Sequence, residues 1–272
     1  MPQAPLSHDQ NAKEHVKTFW DHEFQNKSLE LASTAEVSLE ESKHPLDRKF
    51  WSLIGDVRGL DILEIGCGLG HDTLRYAKMG ARVVSIDISD VAVEQVKKRI
   101  ENAGLSADVR VMDAFDVPSL NKKFDMIVGR FVLHHLEPFD EMSRIFASCL
   151  KQDGRMVFIE NNASNPLLIF ARNHLAGRYG IPKHGDNDEH PLTREEVAVL
   201  GKHFKEVKCH FPYVAFLRKI NVYIFRGKKI FLPFTFLLST ADDALGAVFP
   251  GFRAYSYVQI VFAARPVAAQ VQ

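Results

Sequence analysis

Between Asp61 and Asn161, short apolar runs alternate with stretches whose apolar residues recur at helical spacing. The runs are apolar throughout rather than at every second position, which is typical of strands buried on both faces of a parallel sheet. Strand–helix alternation of this kind predicts right-handed βαβ units and an α/β fold with a doubly wound, mainly parallel sheet. The predicted strands are 61–66, 81–87, 108–113, 124–130 and 155–161.

Local signals mark where several helices begin and end. Ser89 is a candidate N-cap for a helix that closes at Gly104, and the helix after the fourth strand is predicted to end at Gly154. Thr193, followed three residues later by Glu196, predicts a capping box at the start of a helix over 193–204.

The two ends of the chain follow a less regular pattern. Residues 8–31 read as a polar helix, and 206–216 and 254–264 as late strands. The segment 217–252 between these strands is too long for a hairpin loop, so we predict a helical insertion there.

We expect a single domain over residues 1–272, with the sheet as its core and less regular segments as lid and cap. The core is expected over about 55–161, 193–216 and 253–265, a helical lid over about 8–50, and cap segments over about 162–192 and 217–252.

Composition narrows the class of protein. Lys plus Arg and Asp plus Glu number 34 each, and this zero formal charge argues against a general nucleic-acid binder. The N-terminus lacks the apolar core of a signal peptide, and no uncharged apolar run reaches the length of a membrane span. Cys67, Cys149 and Cys209 have no metal-ligand spacing, so we expect reduced thiols in a cytoplasmic protein.

The stretch LEIGCGLGHD (63–72) places three glycines directly after the first predicted strand. Nucleotide-like ligands bind at this position in doubly wound sheets. However, His71 stands where the dinucleotide pattern needs its third glycine, and Glu64 places a carboxylate near the mouth of the loop. A carboxylate there suits a zwitterion with a cationic sulfur better than a pyrophosphate.

Acidic residues also end the next two predicted strands. Asp87 lies about twenty residues beyond the glycines, where a carboxylate can bind both ribose hydroxyls. Asp113 and Phe115 follow the third strand, where an acid and an aromatic ring can read and stack an adenine.

Five segments stand in order along the chain: DILEIGCGLGHDT, VVSIDIS, MDAFDVP, FDMIVGRFVLHHL and LKQDGRMVFIE. Together, over about 55–161, they resemble the successive motifs of class I S-adenosylmethionine-dependent methyltransferases, of the small-molecule type. The resemblance implies a seven-stranded Rossmann-like sheet with a final antiparallel hairpin, and S-adenosyl-L-methionine as cofactor.

The resemblance also implies which residues hold the cofactor. Glu64, Gly66, Cys67, Gly68 and Gly70 would surround its methionine part. Asp87 would bind the ribose, Ile88, Asp113, Ala114 and Phe115 would contact the adenine, and Arg130 and Phe131 would pass close by backbone.

Methyl transfer from a sulfonium is an in-line displacement, so the protein mainly aligns the acceptor and excludes water. A hydroxyl acceptor also needs a base, and His134 and His135 follow the fourth strand. Either histidine is that base, or the pair is packing sequence of the cofactor loop. Glu160 ends the fifth strand, where it orients a histidine, acts as the base or caps the following helix.

Two further motifs have a functional and a structural interpretation. Phe19, Trp20 and Asp21 form either an aromatic lid over the cofactor or a helix face packed on the core. The loop KHGDNDEH (183–190) carries two histidines and several acids without an established ligand spacing, so we predict a solvated loop and no metal.

Acceptor specificity must come from the N-terminal helix, 165–180 and 217–252, and the two later segments are rich in aromatic residues interleaved with bases. These segments line a deep pocket for a hydrophobic acceptor, lie on an anionic membrane through about 217–236, or pack into their own core.

We expect methylation of a hydrophobic small molecule, at a hydroxyl oxygen, without a nucleic-acid partner. The alternatives are C- or N-methylation of a lipid, quinone or secondary metabolite at a membrane surface, and a non-catalytic protein that binds S-adenosylmethionine. A nicotinamide-dependent oxidoreductase is disfavoured by His71 and Glu64.

Overall fold

A computed structural model describes residues 10–31, 44–175, 177–178, 190–219 and 232–267. These residues form one seven-stranded sheet flanked by helices. The strands are β1 (Asp61–Ile65), β2 (Arg82–Asp87), β3 (Asp108–Val111), β4 (Phe124–Arg130), β5 (Leu150–Asn161), β6 (Phe204–His210) and β7 (Val258–Pro266). The α-helices are α1 (Gln10–Leu31), α2 (Pro45–Ile54), α3 (His71–Lys78), α4 (Asp90–Asn102), α5 (Phe139–Cys149), α6 (Pro166–His174), α7 (Arg194–Val199) and α8 (Leu232–Val248).

The strand order β3-β2-β1-β4-β5-β7-β6 confirms the doubly wound α/β fold. Strands β1 to β5 are parallel, and β7 runs antiparallel to both β5 and β6. The carboxyl ends of β1, β2, β4 and β5 therefore share one edge of the sheet, which is the edge where ligands bind in such folds.

Two apolar layers cover the faces of the sheet. On one, Phe146 of α5 stacks on Phe158 of β5 with ring centroids 5.9 Å apart. On the other, Phe50 of α2 and Tyr76 of α3 pack beside Met126 and Ile159, all fully buried. The strands read as continuous apolar runs because both faces are covered in this way.

Several predicted boundaries are wrong by a few residues. Helix α5 ends at Cys149 instead of Gly154, because Leu150 already pairs with Phe124 across an irregularity in the ladder. Strand β3 ends at Val111. The helix predicted over 193–204 closes at Val199 and continues as a 3₁₀ turn, Leu200–Lys202.

The late strands are also displaced from their predictions. Strand β6 ends at His210, since the chain then leaves the sheet and the Ala215 amide donates to Ser256 Oγ at 3.1 Å. Strand β7 starts at Val258, after a 3₁₀ turn at Pro250–Tyr255. Within the predicted insertion, α8 is helical; residues 220–231 lie outside the described residues, as do 183–189 of the predicted loop.

None of the helices that the structure describes has the length and apolar character needed to cross a bilayer.

Candidate functional site

The glycine loop lies between β1 and α3 and is shaped by backbone conformations that glycine adopts most easily. Gly70 is the N-cap of α3, with φ +74°. A Cβ on Gly70 would lie 2.7 Å from Val96 Cγ2 of α4, closer than any real contact. The amides of Gly66 and Cys67 both donate to the Ile86 carbonyl, so the loop is fastened to the end of β2.

Glu64 lies below the loop rather than at its mouth, which corrects the sequence prediction. Its side chain is 4% exposed and accepts hydrogen bonds from Thr73 Oγ1 and, at 2.6 Å, from Ser85 Oγ. Burial, and then the nearby Asp72 carboxylate, raise the pKa of Glu64 to about 8. The buried site thus holds a proton that a bound cation would displace.

The Asp87 carboxylate organises the loop at the end of β2. It accepts the Gly68 amide at 2.9 Å and the Ser89 amide at 3.0 Å, and burial raises its pKa. Ile88 is half-buried beside it. The predicted ribose contact of Asp87 stays a prediction, and a ribose would share this carboxylate with the two amides.

At the end of β3, Asp113 caps the 3₁₀ turn Ala114–Leu120 by accepting the Phe115 amide at 2.9 Å. Ala114 is buried and Phe115 half-buried against the core. Their predicted contacts with adenine stay predictions.

The charges around the loop favour a cationic ligand. Glu64, Asp72 and Asp87 are near enough for the two aspartates to raise the pKa of Glu64. The amides of the loop glycines are bonded within the protein, and carboxylates here would repel a pyrophosphate and attract an ammonium or sulfonium group.

Helix α1 covers the loop from outside. The Phe24 ring lies 3.6 Å from the place of a Cβ on Gly68, and Trp20 stacks on Phe24 with centroids 5.5 Å apart. Trp20 also meets His135 edge-on at 5.9 Å. Asp21 accepts a hydrogen bond from Ser89 Oγ, so α1 is tied to the start of α4. Trp20 packs against both Phe24 and His135, and the predicted aromatic lid over the cofactor stays a prediction.

Glu160 and His134 form a buried pair at the ends of β5 and β4. Glu160 is fully buried, and its Oε1 accepts the amides of Val132 at 2.8 Å and Leu133 at 2.7 Å. Its Oε2 lies 2.6 Å from His134 Nδ1. With Nδ1 assigned as the donor, Nε2 of His134 carries the lone pair and can accept a proton.

The helix-capping interpretation of Glu160 is wrong. The N-cap of α6 is Asn165, whose side chain accepts the amides of Leu167 and Leu168.

His135 is the weaker candidate for a base. Burial, and then the neighbouring His134, lower the pKa of His135 to about 3. Its imidazole is therefore neutral at physiological pH but binds a proton poorly. It contributes a polar, uncharged surface beside Trp20.

Arg130 and Phe131 form the turn between β4 and these histidines. Phe131 has φ +54°, which costs energy for a non-glycine residue, and its amide donates to the Ile159 carbonyl at 2.7 Å. The Arg130 side chain binds Asp72 of α3 and, at 3.0 Å, Asp47 of α2. The predicted backbone contact with the cofactor stays a prediction, while the side chain clamps two helices beside the loop.

Residues that the sequence did not single out join the cap to the sheet. Asp242 of α8 is fully buried and accepts the amides of Phe216, Leu217 and Arg218 at 3.1, 2.8 and 3.0 Å. Asn162, directly after β5, donates to the carbonyls of Ala254 and Ser256. No local pattern marks these residues, since each partner is distant in sequence.

Comparison with known proteins identifies relatives of the central region. A family model described as a methyltransferase domain matches residues 62–154. A ubiquinone biosynthesis O-methyltransferase of Methylobacterium sp. (strain 4-46) is 26% identical over 143 residues, which are 52% of this chain and 57% of that protein. An S-adenosyl-L-methionine-dependent Diels-Alderase of Talaromyces variabilis is 30% identical over 126 residues, 45% of this chain and 43% of that protein.

A solved structure shares the fold over nearly the whole chain. Magnesium protoporphyrin IX methyltransferase from Synechocystis PCC 6803, with bound SAH, has a TM-score of 0.57 and 16% identity, and the match covers 93% of this chain and 99% of that one. By sequence, the chain spans about half the length of the curated relatives it matches.

Proposed function

Since this chain belongs to the class I S-adenosylmethionine-dependent methyltransferases, we propose that it transfers a methyl group to a hydroxyl oxygen of a hydrophobic small molecule. The observation that carries the proposal is the buried Glu160–His134 pair, 2.6 Å apart, at the edge of the sheet that carries the glycine loop. Transfer to a hydroxyl requires removal of a proton, and this pair supplies an oriented acceptor for it.

The charges near the glycine loop suit the cofactor. Bound S-adenosylmethionine supplies a methyl group already activated on a sulfonium, together with an ammonium group. Glu64, Asp72 and Asp87 provide the negative potential for these cations, and Glu64 releases its proton as the positive charge arrives.

His134 acts as the general base in this proposal. Glu160 holds Nδ1, fixes the tautomer and stabilises the imidazolium that forms when Nε2 takes the hydroxyl proton. Trp20, which packs on Phe24 beside Gly68 and on His135, excludes water from the same space.

The cap supports a hydrophobic acceptor. Most of the large apolar side chains that are exposed among the described residues lie on α6, on α8 or in 248–255, including Phe170, Phe236 and Phe249. Exposed apolar surface of this kind is typical of a site for apolar ligands.

The same surface favours a second route, in which an acceptor is taken from an anionic membrane. Phe236 is 75% exposed and Leu237 60%, and no acidic residue occurs from 217 to 241, where five Lys and Arg occur. Lys228→Glu with Lys229→Glu should abolish sedimentation with anionic vesicles. Unchanged sedimentation would remove this route and leave an acceptor that arrives from water.

The proposal is tested in two steps with the full chain. Isothermal titration should detect S-adenosylmethionine and S-adenosylhomocysteine but not NAD. A screen of apolar hydroxyl compounds with labelled cofactor should then identify an acceptor.

With that acceptor, His134→Asn should lower kcat by about 10² to 10⁴ and leave S-adenosylhomocysteine affinity unchanged. His203→Asn, which alters a half-buried histidine bound to Asp140, is the matched control. Full activity of His134→Asn would place the base elsewhere. Cofactor binding with no turnover of any acceptor would favour a non-catalytic binding protein.

A further inference from the structure

A cluster of three metal-ligating side chains lies beside the acceptor side of the candidate site. Glu137 follows the turn that carries His135, while His190 and Glu196 flank the start of α7. One ligand atom of each residue lies within 4.8 Å of those of the other two. The residues come from two segments of the chain that meet only in the folded protein.

Each of the three side chains is held through its other polar atom. His190 Nδ1 lies 3.2 Å from the Pro191 carbonyl and donates to it, which leaves the lone pair on Nε2, 3.6 Å from Glu196 Oε1. Glu196 Oε2 accepts the Thr193 amide at 2.6 Å and Thr193 Oγ1 at 2.8 Å. Glu137 Oε2 accepts the Phe139 amide at 2.8 Å.

This arrangement is what metal ligands require. A ligating histidine usually donates its other ring nitrogen to a carbonyl, and ligating carboxylates are themselves hydrogen-bonded. Here an imidazole nitrogen and two carboxyl groups from two segments of the chain face one another, so the cluster gathers donor atoms of the types that divalent cations bind.

We propose that Glu137, His190 and Glu196 bind a divalent cation of the Mn²⁺ to Zn²⁺ series. Bond lengths of about 2.0 to 2.2 Å require the three donors to approach one another by roughly an ångström, which side-chain rotation allows because Glu137 and His190 are not fully buried. One nitrogen and two carboxylate oxygens form a set typical of these metals, and three protein ligands leave positions open.

The role of this cation rests on the proposed function. Glu137 is two residues from His135, directly after the turn that carries both histidines. A cation here would bind the acceptor's oxygen and lower its pKa before His134 takes the proton.

Metal binding is measured without cofactor or acceptor, so the result is independent of methyl transfer. The full chain is stripped with EDTA, dialysed and titrated with ZnCl₂, MnCl₂ and MgCl₂ by calorimetry, and bound metal is counted by elemental analysis. We expect one equivalent of Zn²⁺ or Mn²⁺ per chain.

Two variants locate the site. Glu196→Gln keeps the capping box, since glutamine also accepts from the N-cap amide, and should weaken binding at least tenfold, as should His190→Ala. Glu195→Gln, an exposed neighbour in the same turn, should bind as the wild type does.

Absence of bound metal, or equal affinity of the Glu195 and Glu196 variants, would overturn the proposal; in that case His190 is an ordinary charged partner of two carboxylates. If metal binds and the stripped enzyme still transfers methyl groups at the full rate, the site stands and its role in acceptor binding is overturned.

Discussion

The half of the molecule that surrounds the glycine loop and the half that forms the cap are stabilised in different ways. Around the loop, several carboxyl groups share this role, as where Asp87 accepts the amides of Gly68 and Ser89 and Glu64 accepts from Thr73 and Ser85. In the cap, a single carboxylate, Asp242, holds three amides more than twenty residues away.

This structural difference matches a difference in proposed role between the cofactor side and the acceptor side of the molecule. The loop half provides a cation-binding site that any acceptor chemistry can share. The cap presents apolar side chains such as Phe236 and Phe249 to the outside, and under the proposed function it would select the acceptor.

The largest effect is expected from removing the central carboxylate of the cap. Asp242→Ala leaves the Phe216, Leu217 and Arg218 amides without their acceptor and should lower the free energy of unfolding by about 4 kcal/mol. Denaturant unfolding measures this loss.

Asp243→Ala is the matched control, since Asp243 pairs with the same arginine at 2.7 Å but its side chain is 65% exposed. The loss in free energy of unfolding for Asp243→Ala should stay below about 1 kcal/mol. Equal losses for the two variants would mean that the buried Asp242 carboxylate does not stabilise the cap. If the cap is independent of the loop, S-adenosylhomocysteine affinity of Asp242→Ala should survive at temperatures where the variant is folded.

The loop half should respond to pH through Glu64. The unfolded carboxyl ionises near its ordinary pKa of 4.5, whereas the folded one keeps its proton up to a pKa of about 8. The stabilisation by neutral Glu64 is therefore complete below pH 4.5 and is lost as pH rises through 8. Between pH 5.5 and 7.5 the loss is about 3 kcal/mol relative to Glu64→Gln, at about 1.4 kcal/mol per unit.

Chemical denaturation of both proteins across this pH range measures the difference, with the exposed Glu94→Gln as control. If the free energy of unfolding depended on pH in the same way for wild type and Glu64→Gln, Glu64 would not be protonated in the folded protein. Cofactor affinity of the wild type should increase over the same range by up to about tenfold per pH unit, because cation binding needs the ionised form.

A smaller effect separates two glycines with similar backbone conformations. Gly70 and Gly104 have φ of +74° and +62°, so alanine is strained at both. At Gly70 the added Cβ would also meet Val96, whereas at Gly104 nothing lies within 4 Å. Gly70→Ala should therefore lower the free energy of unfolding by about 2 kcal/mol more than Gly104→Ala, as measured by thermal unfolding. Equal losses for the two variants would show that α4 can shift away from the added Cβ at little energetic cost.

The sheet and the loop could be predicted from sequence because their signals are local. Buried strands such as 124–130 read as apolar runs, and Thr193 with Glu196 marks a capping box that the structure contains. Burial of Glu64 was not predictable, since its depth depends on Thr73 and Ser85 from neighbouring elements.

The acceptor side was less predictable because its chemistry is assembled over long distances in sequence. His134 and Glu160 were both candidates, but only the pairing of β4 with β5 brings them together and gives them separate roles. The sequence did not single out Glu137, predicted Glu196 only as a capping-box residue, and placed His190 in a solvated loop; none of the three was predicted to bind a metal.

The position of β7 has a consequence for the order in which a nascent chain completes its structure. This strand lies between β5 and β6, and Gln259 pairs with Glu160. The glycine loop, β2 and β4 leave the ribosome long before residue 258, so the cation-binding half can organise first. The strand that carries Glu160 gains its second neighbour only when translation has passed β7, so β5 keeps one open edge until then.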